Sequence, residues 1–507
     1  MTGVTGLLGK VVLHKLLSVL PDLPDPSPSH HQAGGGEDGE SHGGADAAEL
    51  GCRIMVLVRP KAAAKKGGDA VPGRVRFARE VLTSPPLQSL LTTRPSLARY
   101  IHVVEGDIGE EGLGLSEADH NLVTSQVTVI LHMAATTRFT EHIQLAIQMN
   151  ALGGLRVLRL AKQCARLRAH VHVSTCYVNC TLSGPPGSDP REIDETIYPI
   201  RTLMQRHMDP YKTVSTIEGM TYEHAEKMTR KIISPYPNTY TFSKMLGEQM
   251  LQKEKGSVPL CIVRPAIIGP AVRDPFPGWV DSLIGPAGVC LAGGMGVLHV
   301  MRGKSRQVAD LIPVDYVCNT ILTAAWHTAR NPPGRRIPIF HSASSGKNPT
   351  DWWTIITVGI QWFRRNPIKH ELKQFPFAFV VNNFWLFLIA HIIFHTTPAA
   401  IGDVLRMLQG RNAKLVAGSN HLYTVITQLT PFTSRQWQFL ADNVDTKLLA
   451  SMSEQDKNIF EIEVRKIDWE IYTITLAKGL VQFLLKEELT NNLAAAILEK
   501  KKFTAAL

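Results

Sequence analysis

The run Asn238-Thr239-Tyr240-Thr241-Phe242-Ser243-Lys244 places a phenol and an ammonium four residues apart. On a helix this spacing puts both groups on one face, one turn apart. A free phenol titrates near roughly 10, too high for ready proton transfer at neutrality. A neighbouring cation favours the phenolate and brings that value down. Tyr240 is thus a candidate general acid and Lys244 the group that tunes it, although the same spacing also recurs by chance. The run AHVHVSTCYVNC (169–180) reads as a strand with hydroxyls in its second half. Ser174 and Thr175, near the strand end, are suited to hydrogen-bond a substrate carbonyl while Tyr240 donates a proton. Thr175 is favoured; Ser174 stays open. Cys176 invites a thioester-exchange reading, but no motif sets a histidine beside it, and a small apolar strand residue is the better reading.

Such a centre needs a hydride source, and the chain opens with a candidate cradle for one. TGVTGLLG (2–9) runs into KVVLHKLL (10–17), whose apolar spacing reads as a helix. Gly3 and Gly6 permit a tight turn and close backbone approach to a pyrophosphate, while Gly9 lets the helix pack on a sheet. Unpaired N–H groups at the helix start favour the phosphates. Thr5 and Leu7 of the same turn are assigned to the cofactor with the glycines. Only Met1 precedes Thr2, so the first strand that should feed this turn is missing, which points to a truncated gene model or a fragment. RIMVLVR (53–59) is a buried strand leading into Pro60 and Lys61. In a dinucleotide fold the tip of this strand faces the adenosine ribose, where an acid favours NAD and arginine pairs with the 2′-phosphate of NADP. Arg59 and Lys61 therefore point to NADPH, with a plain charged strand end as the alternative. IHVVEGDI (101–108) delivers Asp107 to the adenine edge, and VTVILHMAA (127–135) brings Ala134 and Ala135, small enough to leave room for the cofactor backbone. An amphipathic helix follows at 150–164. The alternation of strand and helix, with chemistry at strand ends, makes the first module α/β with a doubly wound parallel sheet.

A chain of 507 residues has room for two or more domains. Its formal charge of +10 suits an anionic ligand or an anionic membrane surface. Nucleic acid is not expected, because there is no finger spacing, RNA-recognition motif or basic-aromatic stripe. The seven cysteines are scattered without CxxC and read as reduced thiols facing the cytosol. No cleavable signal peptide is visible. Residues 21–50 almost lack large apolar side chains and read as a disordered insertion, with His30, His31 and His42 in a solvated loop.

Taken in order, TGVTGLLG, LVRPK, GDI, LHMAATTRF, VHVSTCY and YTFSK resemble an extended short-chain dehydrogenase/reductase with a Rossmann fold. VRPAIIG (263–269), DPFPGWVDSLIGPAG (274–288) and ADLIPVDYVCN (309–319) narrow this to a resemblance to the alcohol-forming fatty acyl-CoA reductases, of an insect-like kind. The resemblance implies reduction of a long-chain acyl-CoA to a primary alcohol with two NADPH, through an aldehyde, in lipid, wax or ether-lipid metabolism. It implies Gly3, Gly6 and Gly9 at the pyrophosphate, Tyr240 as proton donor, Lys244 on the nicotinamide ribose, Thr175 or Ser174 at the carbonyl, and no metal. PFPGW (275–279) is expected to line the acyl tunnel or to pack as an ordinary loop. Residues 181–235 are expected to form a cap. Other extended reductases, acting on sterols or nucleotide sugars, and a catalytically impaired membrane scaffold are the competing readings.

The expected division sets a reductase domain at 1–345, a mainly helical C-terminal domain at 346–490, and a tail at 491–507. Residues 375–394 are apolar enough, and long enough, to cross a membrane, interrupted by Asn382, Asn383 and His391. IYTITLAKGLVQFLL (471–485) is a weaker candidate, better read as a packed helix. The expectation is a single-pass membrane protein with its active domain facing the cytosol, on endoplasmic reticulum or peroxisome. The tail carries no Ser-Lys-Leu-type ending. A homo-oligomer is left open.

Overall fold

Short apolar, β-branched runs form six parallel strands of one sheet: β1 (Ile54–Val58), β2 (Ile101–Glu105), β3 (Val129–His132), β4 (Ala169–Val173), β5 (Leu260–Pro265) and β6 (Ile339–Ser342). The computed structural model describes residues 1–23, 52–61, 70–183, 189–199, 209–283, 285–366 and 376–487. The insertion expected at 21–50 lies outside the described residues from 24 onward, and so does the tail at 491–507. Strands β1 and β2 pair in register from Ile54↔Ile101 to Val58↔Glu105, while β3, β4, β5 and β6 form a second ladder. Met1 and Thr2 join the two. Thr2 bridges Leu57 on one side and His132 on the other, both in parallel sense. The Thr2 N–H donates to the Leu131 carbonyl at 3.0 Å and the Leu57 N–H to the Met1 carbonyl at 2.9 Å. The strand expected to be missing is therefore present as a two-residue stub at the centre of the sheet. The chain winds outward from it on both sides, and this reversal of strand order creates a crevice at the carboxyl ends of the strands.

Helices cover both faces, so β4 and β5 are buried along their whole length. The amphipathic helix expected at 150–164 is observed at Gly153–Ala161, continued backward by a π-helical turn at Gln148–Leu152. Helix α1 (Leu7–Val19) is pinned by Lys10 to Asp281 at 2.8 Å and by Lys15 to Asp274 at 2.9 Å. These partners flank PFPGW. Within that motif Trp279 is 1% exposed, and Gly278, at φ +76°, leaves so little room that an added Cβ would stand 2.4 Å from the Thr475 carbonyl oxygen. The motif packs the C-terminal helix Trp469–Gly479 onto the sheet domain. Of the two readings, loop packing is the one the contacts show. The described residues of 181–235 include a short strand and the helices Pro210–Glu218 and Tyr222–Ile233.

The C-terminal half is mainly helical and interleaved with the first. Trp437–Phe439 pairs with Arg191–Ile193, and Phe379–Val381 pairs with Val300–Arg302. One hydrophobic cluster runs from Val11 to Val481. The apolar segment at 375–394 is not a single helix, a correction to the sequence reading. Phe379–Val381 is a strand, and the Asn383 side chain accepts from the Leu386 N–H at 3.0 Å, capping a helix that starts at Phe384. That helix continues to Leu408, is long and apolar enough to cross a membrane, and leaves Trp385, Ile389, Ile393 and Leu408 exposed. Segment 471–485 is a packed helical stretch, with Tyr472, Leu476, Leu480 and Val481 buried.

Candidate active site

The glycine turn sits where the sheet reverses. Gly3 has φ +79°, a region that side chains enter only with strain. A Cβ there would lie 2.7 Å from the Ala134 nitrogen, and one on Gly9 would lie 2.1 Å from the Gly3 carbonyl oxygen. Gly3 and Gly9 are therefore required by the close approach of loop, helix and strand end. Gly6 is different: it is exposed, and a Cβ there meets nothing nearer than the Gly3 oxygen at 3.6 Å. A side chain at Gly6 would instead fill the space over the first turn of α1. No side chain caps that turn and no acidic residue stands in it, the arrangement that suits an anion. The residues fit a dinucleotide pyrophosphate. Thr5 lies in the turn itself and Leu7 at the first helical position. Thr2 fixes the opposite wall, its hydroxyl oxygen accepting from the Met133 and Ala134 N–H groups at 3.2 and 3.1 Å.

Arg59 and Asp107 meet at the tips of β1 and β2, 3.5 Å apart, with the Arg59 side chain 54% exposed. Asp107 also accepts from the Gly109 N–H at 2.9 Å. Lys61 is exposed, its backbone paired with Val71. Arg59 and Lys61, expected to read the adenosine end, thus follow the tip of β1, on a different element from Ser174, Thr175 and Tyr240.

Those residues lie at the end of β4 and on helix α2 (Thr239–Glu254). Asn238 starts the helix, its side chain accepting from the Thr241 N–H at 2.9 Å. Tyr240 hydrogen-bonds with the Thr175 side chain, which partly offsets the effect of burial on the phenol. The Thr175 hydroxyl donates to the Pro265 carbonyl at 3.3 Å. The Ser174 hydroxyl is buried without a hydrogen-bond partner among the described residues. Lys244 is buried and donates to the Val173 carbonyl at 2.8 Å. Here the structure corrects one expectation. Burial pushes the Tyr240 phenol up to about 12, and Lys244 is not among the groups that move it. The ammonium is directed at the strand carbonyl, and burial brings its own value down to about 8. The phenol is protonated at neutrality, as a proton donor must be. Cys176 is buried, donates to the Arg264 carbonyl at 2.9 Å, and has a thiol pushed well above its ordinary range by desolvation. That environment opposes a thiolate nucleophile.

Several residues behind this centre escaped the sequence reading. Glu248, one turn beyond Lys244 on α2, forms a two-pronged ion pair with Arg264 of β5, at 2.9 and 2.5 Å. Both are buried, and Arg264 also donates to the Thr196 carbonyl at 2.9 Å. The i, i+4 spacing of Lys244 and Glu248 was legible, but its partner comes from another strand. Arg264→Ala is expected to destabilise the fold by about 3–5 kcal/mol, because it leaves a buried carboxylate without its cation. Equilibrium denaturant unfolding measures this, and a loss below about 1 kcal/mol would contradict it. Asn150 ties Thr136 to Ser243 of α2, with hydrogen bonds of 2.9 to 3.0 Å. The C-terminal half closes one side: Phe139, 6.2 Å from the Tyr240 ring, stacks on Phe432 at 5.4 Å, and Tyr177 meets Phe432 edge-on.

Known proteins resemble the chain along nearly its whole length. A male sterility protein NAD-binding model matches residues 47–321, and a second male sterility protein model matches residues 394–487. The chain is 32% identical to mouse fatty acyl-CoA reductase 1, over 98% of this chain and 86% of that protein. It is 30% identical to bovine fatty acyl-CoA reductase 2, over 96% and 84%. The chain belongs to the fatty acyl-CoA reductase family. Its fold is shared with the terminal R domain of the myxalamid pathway, at a TM-score of 0.54 and 19% identity, covering 95% of this chain and 89% of that one. The reductase domain of a nonribosomal peptide synthetase from Mycobacterium tuberculosis gives the same TM-score at 15% identity, over 95% and 90%. This fatty acyl-CoA reductase family member is an oxidoreductase with a site for a nicotinamide cofactor, and its crevice holds the glycine turn and Tyr240 on one edge of one sheet.

Proposed function

We propose that this chain reduces long-chain fatty acyl-CoA to the primary fatty alcohol, using two NADPH, releasing CoA and holding the aldehyde between the two reductions. The observation that carries the reading is identity of 30–32% to fatty acyl-CoA reductases across nearly the whole chain. When bound, the nicotinamide supplies a hydride to the carbonyl carbon. Gly3, Gly6, Gly9 and the start of α1 hold the pyrophosphate, and Ala134 leaves it space. Thr175, aided by Ser174, orients the carbonyl oxygen, and Tyr240 gives that oxygen its proton. Lys244 binds the nicotinamide ribose from its seat on Val173. Arg59 and Lys61 favour the 2′-phosphate of NADPH, since guanidinium pairs well with phosphate. The helix Phe384–Leu408 associates the protein with membrane lipid as a single embedded helix, with the reductase domain in the cytosol, at endoplasmic reticulum or peroxisome.

A catalytically impaired scaffold of the same fold is the second reading. One assay separates them. Carbonate-washed membranes bearing the chain, given palmitoyl-CoA, are expected to form hexadecanol with NADPH and far less with NADH. Absence of alcohol from folded protein sinks the enzyme reading. Equal rates with both cofactors remove the role of Arg59 and Lys61, and activity lost to the carbonate wash removes the embedded helix.

A further inference from the structure

The long apolar helix α3 (Phe384–Leu408) has two unlike faces along its whole length. Phe387, Ala390, His391, His395 and Asp403 recur at helical spacing and are buried. Trp385, Ile389, Ile393, Ile401, Leu405 and Leu408 stand exposed on the other side. The buried face is held by the protein from one end to the other. Phe387 and Ala390 pack with Leu298, Val300 and Ile426. His391 hydrogen-bonds with the Ser419 hydroxyl of helix α4 (Leu415–Ser434) at 3.4 Å. His395 accepts from the His299 N–H at 2.9 Å. The Asp403 carboxylate accepts from the Lys414, Leu415 and Val416 N–H groups at 2.8 to 2.9 Å, covering the open N–H groups at the start of α4.

These contacts decide how α3 can meet lipid. The imidazoles and the carboxylate that interrupt its apolar run all lie on the packed face, and their partners belong to the water-soluble body. The neighbouring helix α4 turns Asn420, His421, Thr424 and Thr427 outward. Crossing a bilayer would either draw α4 in with α3 or strip His391, His395 and Asp403 of their partners. Both are costly, because hydrocarbon offers no hydrogen bonds in exchange. A packed face opposite an apolar one is instead the pattern of a helix lying along an interface. The charges agree. Between residues 376 and 434 the single acid is Asp403, and it is turned inward. Exposed Arg411 and Lys414 follow the C-terminal end of α3, and the Arg302 guanidinium lies 5.0 Å from the Phe384 ring at the other end. Cations thus flank the apolar face with no exposed acid between them, which complements an anionic lipid surface.

We propose that α3 lies flat in one leaflet of an anionic membrane, its exposed face among the acyl chains, its flanking cations at the headgroups, and both its ends on the side of the reductase domain. The proposal rests on the membrane reading above and adds to it an orientation and a lipid charge. The test uses the full-length chain in sealed microsomes, with Cys52→Ser removing the exposed natural thiol. Asn382→Cys and Gln409→Cys then place thiols at exposed positions just outside the two ends. A membrane-impermeant maleimide is expected to label both from the side of the reductase domain. Labelling of one end only after permeabilisation overturns the proposal and leaves the membrane reading standing. Spin labels at Leu386, Ile393 and Leu405, in protein reconstituted in vesicles, are expected at one shared shallow depth. A crossing helix would instead carry Ile393 far deeper than the other two, in a hydrocarbon core about 30 Å thick. Coupling between the labels of two copies without lipid contact also overturns the proposal, since the face would then be an interface of the chain with itself. At low salt, partition into phosphatidylcholine vesicles is expected to rise by about tenfold when phosphatidylserine is included. The pair Arg411→Glu and Lys414→Glu is expected to remove most of that rise. Equal partition into both vesicles overturns the anionic preference, and no binding to either removes the membrane reading itself.

Discussion

Tyr240→Phe is expected to lower fatty alcohol formation by about 10²–10⁴-fold, the usual worth of a positioned general acid, while leaving NADPH binding nearly unchanged. The substitution removes one oxygen and keeps the ring beside Phe139. The glycine turn, Arg59 and Asp107 lie on other elements and keep their contacts. Lys244 keeps its hydrogen bond to the Val173 carbonyl, because Tyr240 is not part of that bond. The pH profile adds a second check. The phenol, at about 12, stays protonated through the neutral range. Lys244, at about 8, is charged below that value and neutral above it. If its ammonium holds the ribose, kcat/KM in the wild type falls as the pH rises through about 8, and the loss lies in KM for NADPH. Steady-state rates with palmitoyl-CoA, paired with NADPH fluorescence titration, measure both effects. Unchanged turnover in Tyr240→Phe takes the phenol out of the mechanism, and a flat profile from pH 7 to 9 takes the charge of Lys244 out of cofactor binding.

Local spacing made much of this site legible. The glycine turn, the hydroxyls after β4 and the pair Tyr240 and Lys244 each lie within one short segment, so the pattern of residue types was enough to find them. The doubly wound sheet was legible for the same reason, since each strand is a continuous apolar run bounded by polar turns. What escaped depends on pairing across the chain. Arg264 and Glu248 sit on separate elements, and nothing in the run around Arg264 announces that its guanidinium is buried. Phe432 reaches Phe139 from the helix Leu415–Ser434, in a half where spacing indicated helices but not their destination. The expected effect of Lys244 on Tyr240 failed because sequence spacing reports a shared face and not where each group points. The ammonium turns to a strand carbonyl, and desolvation, which no spacing encodes, dominates the phenol. The apolar stretch at 375–394 is divided by Asn383, whose side chain caps a helix, a role that the apolar character of the run does not reveal.

Extending the chain before Met1 by about four to six apolar β-formers, a common strand length, is expected to raise stability and remove a specific pH dependence. The Met1 amine lies inside the sheet, where it donates to the Met55 carbonyl at 2.5 Å. Burial lowers it from 8.0 to about 5. A base with a lowered value in the fold is neutral when folded and protonated when unfolded between those two values. The unfolded state then binds more protons, so stability rises with pH across the window. It is fully present above about 8 and lost by about 5, a total on the order of 4 kcal/mol for three units. His14 and His170, lowered by burial to about 4 and about 3, act in the same direction, but only below their ordinary value of 6.5. Lys244, at about 8, and Glu195, raised by burial to about 7, also titrate between 8 and 6.5, but they do so in both chains, so the difference between the chains isolates the amine and amounts to roughly 2 kcal/mol over this interval. In the extended chain a peptide N–H replaces the ammonium, and the new residues can pair with β1 and β3 where the stub stops. Denaturant unfolding of both chains at pH 8 and 6.5 measures the difference. The chain that starts at Met1 is expected to lose roughly 2 kcal/mol more over this interval than the extended chain. Parallel behaviour of the two would show that the amine is not desolvated by the fold. A tighter NADPH titration in the extended chain is expected as well, because the glycine turn starts directly from this stub and inherits its order.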